Sequence, residues 1–386
     1  MRRERIGSYE RLAVAGSQAR TFIPAPLPPR PALDLSVLQG PLAKALVGLG
    51  RLDSISTLLP DPGLFLYSYV RKEAVLSSQI EGTRSTLSHL LLFELKAAPG
   101  VPLDDVTEVS NHVAALEHGM ARMRGGFPLS SRLIREMHRL LLSSGRGSHK
   151  APGEFRRSQV WIGGARPDVA RFVPPPWTAV ESCIADLERF LHTEDESLAP
   201  PIRAGLAHLQ FETIHPFLDG NGRVGRILIP LILCQDRVLT EPLLYLSLYL
   251  KERRDEYYEH LNRVRRTGDW ETWLRFFLEG VASVAQGAVG TAHRLIALFD
   301  ESRARIQREG RAAGSMLRVI KVLEGRAISP IAGLAERTGL SVGGAAAAVA
   351  RLEELGIVRE ITGFRRNRLF AYDRYLSILN EGTDPP

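Results

Sequence analysis

His215-Pro216-Phe217-Leu218-Asp219-Gly220-Asn221-Gly222-Arg223-Val224-Gly225-Arg226 is the stretch that decides the reading of this chain. It lies between two helical patterns, 200–213 before it and 221–234 after it, so its central glycines sit on a loop that opens a helix. Unpaired N–H groups and the positive end of the helix dipole make such a place attractive to anions. Gly220 and Gly222 let the backbone approach a phosphate with no Cβ in the way. Asn221 can add a side-chain amide donor, and Arg223 and Arg226 fall on one side of the new helix. Guanidinium groups grip phosphate oxygens in pairs. Asp219 is the only acid in the loop, and a lone carboxylate beside phosphates suits Mg2+, which takes its other ligands from phosphate oxygens and water. An ordinary imidazole titrates at about pH 6.5, which suits His215 to accept a proton from a hydroxyl. A base, a metal-binding acid, an anion cradle and two arginines together describe phosphoryl or nucleotidyl transfer.

The rest of the chain sets the frame. Its 386 residues exceed one ordinary core and predict two or three domains. Hydrophobic residues make up 44% and charged residues 24%, the balance of a globular protein and not of a disordered one. The two cysteines, Cys183 and Cys234, lie outside any paired metal motif and exclude a disulfide framework. No apolar run follows the charged residues 1–5, and the apolar stretches at 227–234 and 243–250 are too short or too polar to span a bilayer. The expectation is a soluble, cytoplasmic protein without membrane contact. A net charge of +7 permits nucleic-acid contact without establishing it.

Residues 23–31 are proline-dense and read as an extended arm. Helical spacing covers 35–50, and Pro62 is placed to open a helix that runs over 64–80 and ends near Gly82. Further helices are predicted at 86–96, closed by Pro99-Gly100, and at 106–124, 130–143, 178–192, 251–266 and 270–308. Residues 160–173 break this pattern and read as a β-hairpin with a glycine-bearing loop. From 315 to 380 the order helix, helix, turn, helix, strand, basic loop, strand is that of a winged helix. Its candidate recognition helix, 342–355, is rich in Gly and Ala, while Arg365, Arg366 and Arg368 of the wing are suited to phosphate contacts. The fold expected is mainly α, divided into 1–105, an arm and first helices; 106–290, the catalytic part; and 291–386, a linker helix with the winged helix.

The stretch 215–226 resembles the Fic-family signature, His-Pro-Phe-x-Asp-Gly-Asn-Gly-Arg-x-x-Arg, with all its fixed positions present. The resemblance extends over residues 64–280 and implies the Fic helical fold with a β-hairpin flap. It also implies a protein adenylyltransferase that moves AMP from ATP to a Ser, Thr or Tyr hydroxyl of a protein, itself included, and releases pyrophosphate. His215 would be the base and Asp219 the Mg2+ ligand. Gly220, Asn221 and Gly222 would form the anion hole, Arg223 would stabilise the phosphates and Arg226 would grip the γ-phosphate. Gly222 argues for AMP transfer, because relatives of the death-on-curing kinase type carry Lys after the Asn.

Ser77-Ser78-Gln79-Ile80-Glu81-Gly82 is similar to the family's inhibitory motif, Ser/Thr-x-x-x-Glu-Gly/Asn. Glu81 paired with Arg226 would take the place of the γ-phosphate, and Ser77 would help to fix it. By position, the hairpin resembles the family's flap, with Trp161, Ile162 and Gly163 as the target-binding residues, pairing edge-on with an extended segment. Tyr257 and Tyr258 are candidates to cover the adenine. Two other readings stand beside the transferase: removal of AMP at the same site, and a nucleotide-sensing regulator that contacts DNA through the winged helix. A homodimer is open, and the sequence names neither the target protein nor the base preference.

Overall fold

The computed structural model describes residues 6–14, 16–58, 62–95, 103–193, 195 and 197–384. It is mainly helical, with small antiparallel sheets, and ends in a winged helix. The first element is a hairpin that the sequence reading missed. β1 (Gly7–Val14) pairs antiparallel with β2 (Ser17–Pro24), from Gly7↔Pro24 to Val14↔Ser17. In β2 the buried Ala19 and Thr21 alternate with the exposed Gln18 and Arg20, the period of a half-buried strand. The proline-dense arm is therefore partly strand, because Ile23 and Pro24 belong to β2.

The helices follow the expected order: α1 (Gln39–Leu58), α2 (Pro62–Ile80), α3 (Leu87–Glu94), α4 (Leu103–Arg124), α5 (Ser131–Leu141), α6 (Val180–His192), α7 (Pro200–Ile214) and α8 (Asn221–Gln235). Pro62 opens α2 as expected, since the first turn needs no N–H from it. Gly82 follows its end with φ +99°, a conformation that suits glycine. α3 starts with a capping box: His89 N donates to Thr86 Oγ1 at 3.2 Å and Thr86 N to His89 Nδ1 at 3.4 Å. The expected closure of α3 at Lys96 and Pro99-Gly100 lies outside the described residues.

The segment expected as one helix over 251–266 is two, α9 (Ser247–Glu252) and α10 (Arg254–Thr267), broken at Arg253. α11 (Trp270–Gln307) follows, continuous across residue 290, and α1 packs along it. α8 is buried along most of its length and packs on α7, so the core surrounds the helix that the signature opens. Among the described residues no helix is long and apolar enough to cross a membrane.

The C-terminal module runs α12 (Ala313–Gly325), β3 (Ile328–Pro330), α13 (Ile331–Thr338), α14 (Val342–Glu354), β4 (Val358–Glu360), β5 (Leu369–Tyr372) and α15 (Asp373–Asn380). Its sheet has the order β3-β5-β4. β3 and α15 were not anticipated. The wing residues Arg365, Arg366 and Arg368 are exposed, while Arg351 of α14 pairs with Glu354 at 3.1 Å.

The hairpin expected over 160–173 is much reduced. Pairing is confined to the bridge Ile162↔Phe172, with Ile162 N donating to Phe172 O at 2.9 Å and Phe172 N to Ile162 O at 3.2 Å, plus Arg171 N to Gly163 O at 2.9 Å. Gly163 and Gly164 turn the chain there, and Pro167 has no N–H to extend a ladder. On its other side this segment leans on the N-terminal hairpin, where Phe22 N donates to Val173 O at 3.0 Å.

Candidate active site

α7 ends at His215, which caps it in the left-handed region at φ 50° and ψ 61°. That turn throws the loop 215–220 back across the start of α8. Phe217 anchors it: the side chain is fully buried and stacks on the His138 ring, centroids 3.7 Å apart and planes 6° from parallel. His138 on α5 also accepts from Gly153 N through Nδ1 at 2.8 Å, which leaves Nε2 as the donor to Asp219 O at 3.0 Å. Burial pushes its imidazole down to about 4, so the neutral tautomer holds the loop.

The Asn221 side chain points into the loop and not out of it. Its Nδ2 donates to Phe217 O and its Oδ1 accepts from Phe217 N, both at 2.9 Å. The side-chain amide expected as a phosphate donor is thus a staple for its own loop, with its oxygen and one of its two N–H donors taken by Phe217. Asn221→Ala would leave two buried backbone groups unpaired, at ~1–3 kcal/mol each. It should lower stability by about 2 kcal/mol or more, as a drop in the midpoint of thermal unfolding.

The two signature arginines part company. Arg223 is 1% exposed and turns to α4, where Nη1 lies 2.7 Å from Glu108 Oε1, and its Nη2 lies 3.5 Å from Asp219 Oδ1. Arg226, 3% exposed, turns to α2: Nε donates to Ser77 Oγ at 2.8 Å, and Nη2 to Ser77 O at 3.0 Å and Glu81 Oε1 at 2.7 Å. Burial alone would weaken its hold on the proton, but the Glu81 carboxylate outweighs that and strengthens it. Burial pushes the Glu81 carboxyl up and Arg226 pulls it down further, so it ends below the usual range.

The Glu81 carboxylate rests on the backbone at Gly222. A Cβ there would come within 2.3 Å of Glu81 Oε1 and 2.9 Å of Arg226 Nη1. Gly220, at φ +75°, needs glycine for its conformation, and Gly222 needs it for this close approach.

Asp219 is partly exposed, and Gly220 N donates to its Oδ1 at 2.6 Å. Its other oxygen makes no hydrogen bond among the described residues, so the donor fits a hard divalent cation that draws its remaining ligands from phosphate and water. The described residues contain no cluster of three or more His, Cys, Asp or Glu set to hold a metal by themselves.

Sequence reasoning missed several residues that build this site. Arg156, 2% exposed, fastens the His215 turn: its Nε donates to His215 O at 2.9 Å, its N to Pro216 O at 2.9 Å and its Nη2 to Pro175 O at 2.6 Å. Arg265 lies 3.8 Å over the Phe172 ring and donates to Thr213 Oγ1 and Glu212 O, each at 3.1 Å. Burial pushes the His215 imidazole down to about 3, helped by the Arg265 and Arg156 charges and opposed by Glu81. No short-range pattern marks these arginines, because their partners come from distant segments.

Tyr257 offers no exposed face to a ligand. It is 1% exposed and its hydroxyl bonds His208 Nε2 at 2.9 Å, so it belongs to the core beside Trp273. Tyr258 is half-buried beside it, ring centroids 5.1 Å apart. Trp161 and Ile162 are half-buried and Gly163 is exposed, beside the Ile162–Phe172 bridge described above.

A second buried acid, Glu73, sits on α2 one turn before Ser77 and bonds the Ser247 hydroxyl and N–H. Burial raises its carboxyl from 4.5 to about 8. The folded state therefore holds a proton that the unfolded chain releases. That stabilisation is complete below pH 4.5 and is lost as pH rises towards 8. The buried histidines act in the opposite sense, but only below their ordinary 6.5. Glu212, raised by burial to about 7, adds in the same sense up to that pH, and between pH 7 and 8 Glu73 alone should cost up to ~1 kcal/mol of stability per pH unit. Glu73→Gln should flatten that slope, read as the unfolding midpoint against pH.

Residues 40–121 match the Fic/DOC family N-terminal description, 128–233 the Fic/DOC family, and 315–359 the winged helix-turn-helix DNA-binding description. Over 206 residues, 52% of this chain, it is 31% identical to Protein adenylyltransferase Fic of Drosophila yakuba and to that of Drosophila ananassae. The match spans 38% of those relatives' length. Among solved structures it is similar in fold to a Fic family protein from Desulfovibrio desulfuricans G20, with TM-score 0.58 and 21% identity, covering 90% of this chain and 97% of that one. It is also similar to Fic-1 from C. elegans, with TM-score 0.51 and 25% identity, covering 67% of this chain and 75% of that one. The chain thus carries a Fic/DOC N-terminal domain, a Fic/DOC domain and a C-terminal winged helix-turn-helix.

Proposed function

We propose that this chain is a protein adenylyltransferase that moves AMP from ATP to a Ser, Thr or Tyr hydroxyl of a protein and is held back by its own Glu81. The observation that carries this reading is the Glu81 carboxylate itself, 2.7 Å from Arg226 and resting on Gly222 at the open end of α8. A carboxylate in that place imitates a phosphate, and the same donors serve a triphosphate once it leaves.

In the reaction, the target hydroxyl oxygen bonds to the α-phosphorus and the bond from that phosphorus to the bridging oxygen breaks. Pyrophosphate leaves with the electron pair and the hydroxyl proton passes to His215. Burial keeps the imidazole neutral, which leaves it able to accept, and the charge of a bound triphosphate offsets the two arginines that depress its basicity. The backbone N–H groups of 221 and 222 and the Arg226 guanidinium meet the developing charge, while the Gly220 N–H is taken by Asp219. Arg223, already paired with Glu108, stiffens the loop and adds positive field. Asp219 would hold Mg2+, which supplies charge neutralisation across the phosphates.

Removal of AMP is the second reading. The ionised Glu81 is a third exposed and lies close enough to raise the basicity of His215, a position from which it can orient a water. Wild type, Glu81→Gly and His215→Ala, each incubated with Mg2+ and an equimolar nucleotide mixture, test the first reading by intact mass. A gain of one AMP on Glu81→Gly that is absent from His215→Ala supports it. A different nucleotide changes the donor. AMP lost from a pre-modified protein, with no adduct on any variant, moves the assignment to removal.

A further inference from the structure

Gln79 sits on α2 between the two residues that hold Arg226, Ser77 and Glu81, yet its own side chain is bonded elsewhere. It is 2% exposed, and its Nε2 donates to Ser85 O at 2.9 Å and to Thr383 O at 2.8 Å. Its Oε1 accepts from Lys251 Nζ at 2.7 Å, and Lys251 also bonds Asp384 O. Both donors and the acceptor of one amide are thus satisfied by the turn after α2, by α9 and by the segment that follows α15.

That segment is fixed at both ends. Thr383 is 2% exposed, with Oγ1 donating to Asn380 O at 2.8 Å, and Glu381 makes a two-pronged pair with Arg294 of α11 at 2.8 and 2.6 Å. The winged helix touches the same region elsewhere too. Tyr375 OH lies 3.0 Å from Ser68 Oγ inside the protein, and Asn380 Nδ2 donates to Ser88 Oγ at 2.9 Å. The turn that carries Glu81 is held by Glu81 N to Ser78 O at 3.0 Å, Gly82 N to Gln79 O at 3.0 Å and Thr83 N to Ser78 O at 3.3 Å, with Arg84 N donating to Asp105 Oδ2 at 2.9 Å just beyond it. A buried amide tied to three separate segments adds a second constraint on where α2 ends, beside the Arg226 bonds to Ser77 and Glu81.

We propose that Gln79 is the positioning residue for Glu81, and that residues 381–384, delivered by the winged helix, are the latch that holds Gln79 in place. The proposal rests on the reading of Glu81 as the inhibitor. It makes the winged helix more than an appended module: whatever shifts α15 and the segment after it loosens the inhibitory turn. A role in stability alone predicts that loss of Gln79 lowers transfer. A latch predicts that it raises transfer, and only while Glu81 is present.

The test uses the full chain, Gln79→Ala, the chain ended after Asn380, Glu81→Gly, and Gln79→Ala combined with Glu81→Gly. Lys251→Met, which removes one bond to the amide and one to the latch, replaces any of these that does not fold. Amide hydrogen exchange at 81–83 and AMP incorporation from ATP are read on each. The latch predicts exchange at least tenfold faster in Gln79→Ala and in the shortened chain. It predicts incorporation raised at least threefold in both, and no further rise when Gln79→Ala is added to Glu81→Gly. Exchange at the wild-type rate in both variants overturns it, as does a fall in incorporation in both backgrounds. If 81–83 loosens but Glu81→Gly transfers no faster than wild type, the positioning stands and the inhibitory reading falls.

Discussion

His215→Ala is expected to lower AMP transfer at least ~100-fold, the range for removing a positioned general base. The loop should survive the change, because Arg156 holds the backbone oxygen of residue 215 and the Asn221 amide holds Phe217, neither through the imidazole. Residue 215 sits in the left-handed region, however, which histidine and asparagine tolerate better than alanine. His215→Asn separates the two effects, since asparagine tolerates that region and cannot serve as the base. Both variants should lose transfer alike while His215→Asn keeps the wild-type unfolding midpoint. A His215→Asn protein that kept a tenth or more of the wild-type rate would remove His215 from the chemistry.

Glu81→Gly is expected to raise transfer about tenfold or more. The change deletes a charge-assisted contact worth ~1.5–3 kcal/mol and opens the edge at Gly222. Arg226 keeps two bonds to Ser77, one to the hydroxyl and one to the carbonyl, so the guanidinium stays aimed at the start of α8. The gain should appear mainly as productive ATP binding. Glu81→Gln, which keeps the shape and drops the charge, should give an intermediate rate. Equal rates in Glu81→Gly and wild type at saturating ATP would mean that the carboxylate does not obstruct the substrate.

The readable part of this chain is the part whose chemistry is local. Residues 215–226 carry an anion cradle in consecutive positions, and Pro62 and Gly82 mark the ends of α2 with residues whose backbone preferences are strong. The pairing of Glu81 with Arg226 was expected from the resemblance, and the two side chains do meet. What escaped is what distance in sequence hides. Arg156 and Arg265 hold the His215 turn from separate segments, and Glu108 takes Arg223 from α4. Asn221 was misjudged because an amide beside glycines suits an anion as well as it suits its own loop, and only the fold decides which. Tyr257 was misjudged because its spacing on α10 fits either a core face or a ligand, and the core won through His208. The β1–β2 hairpin was missed because β1 is exposed at four consecutive positions, Ser8 to Arg11, and so lacks the apolar alternation that marks a strand.

The most direct test of the account is where the label goes when Glu81→Gly is given Mg2+ and ATP carrying radioactive phosphorus at the α-position, and separately at the γ-position. The account predicts that the α-label stays on protein, in proportion to pyrophosphate released, and that the γ-label does not. Label retained from the γ-position and not from the α-position would contradict it and make the chain a phosphoryl transferase.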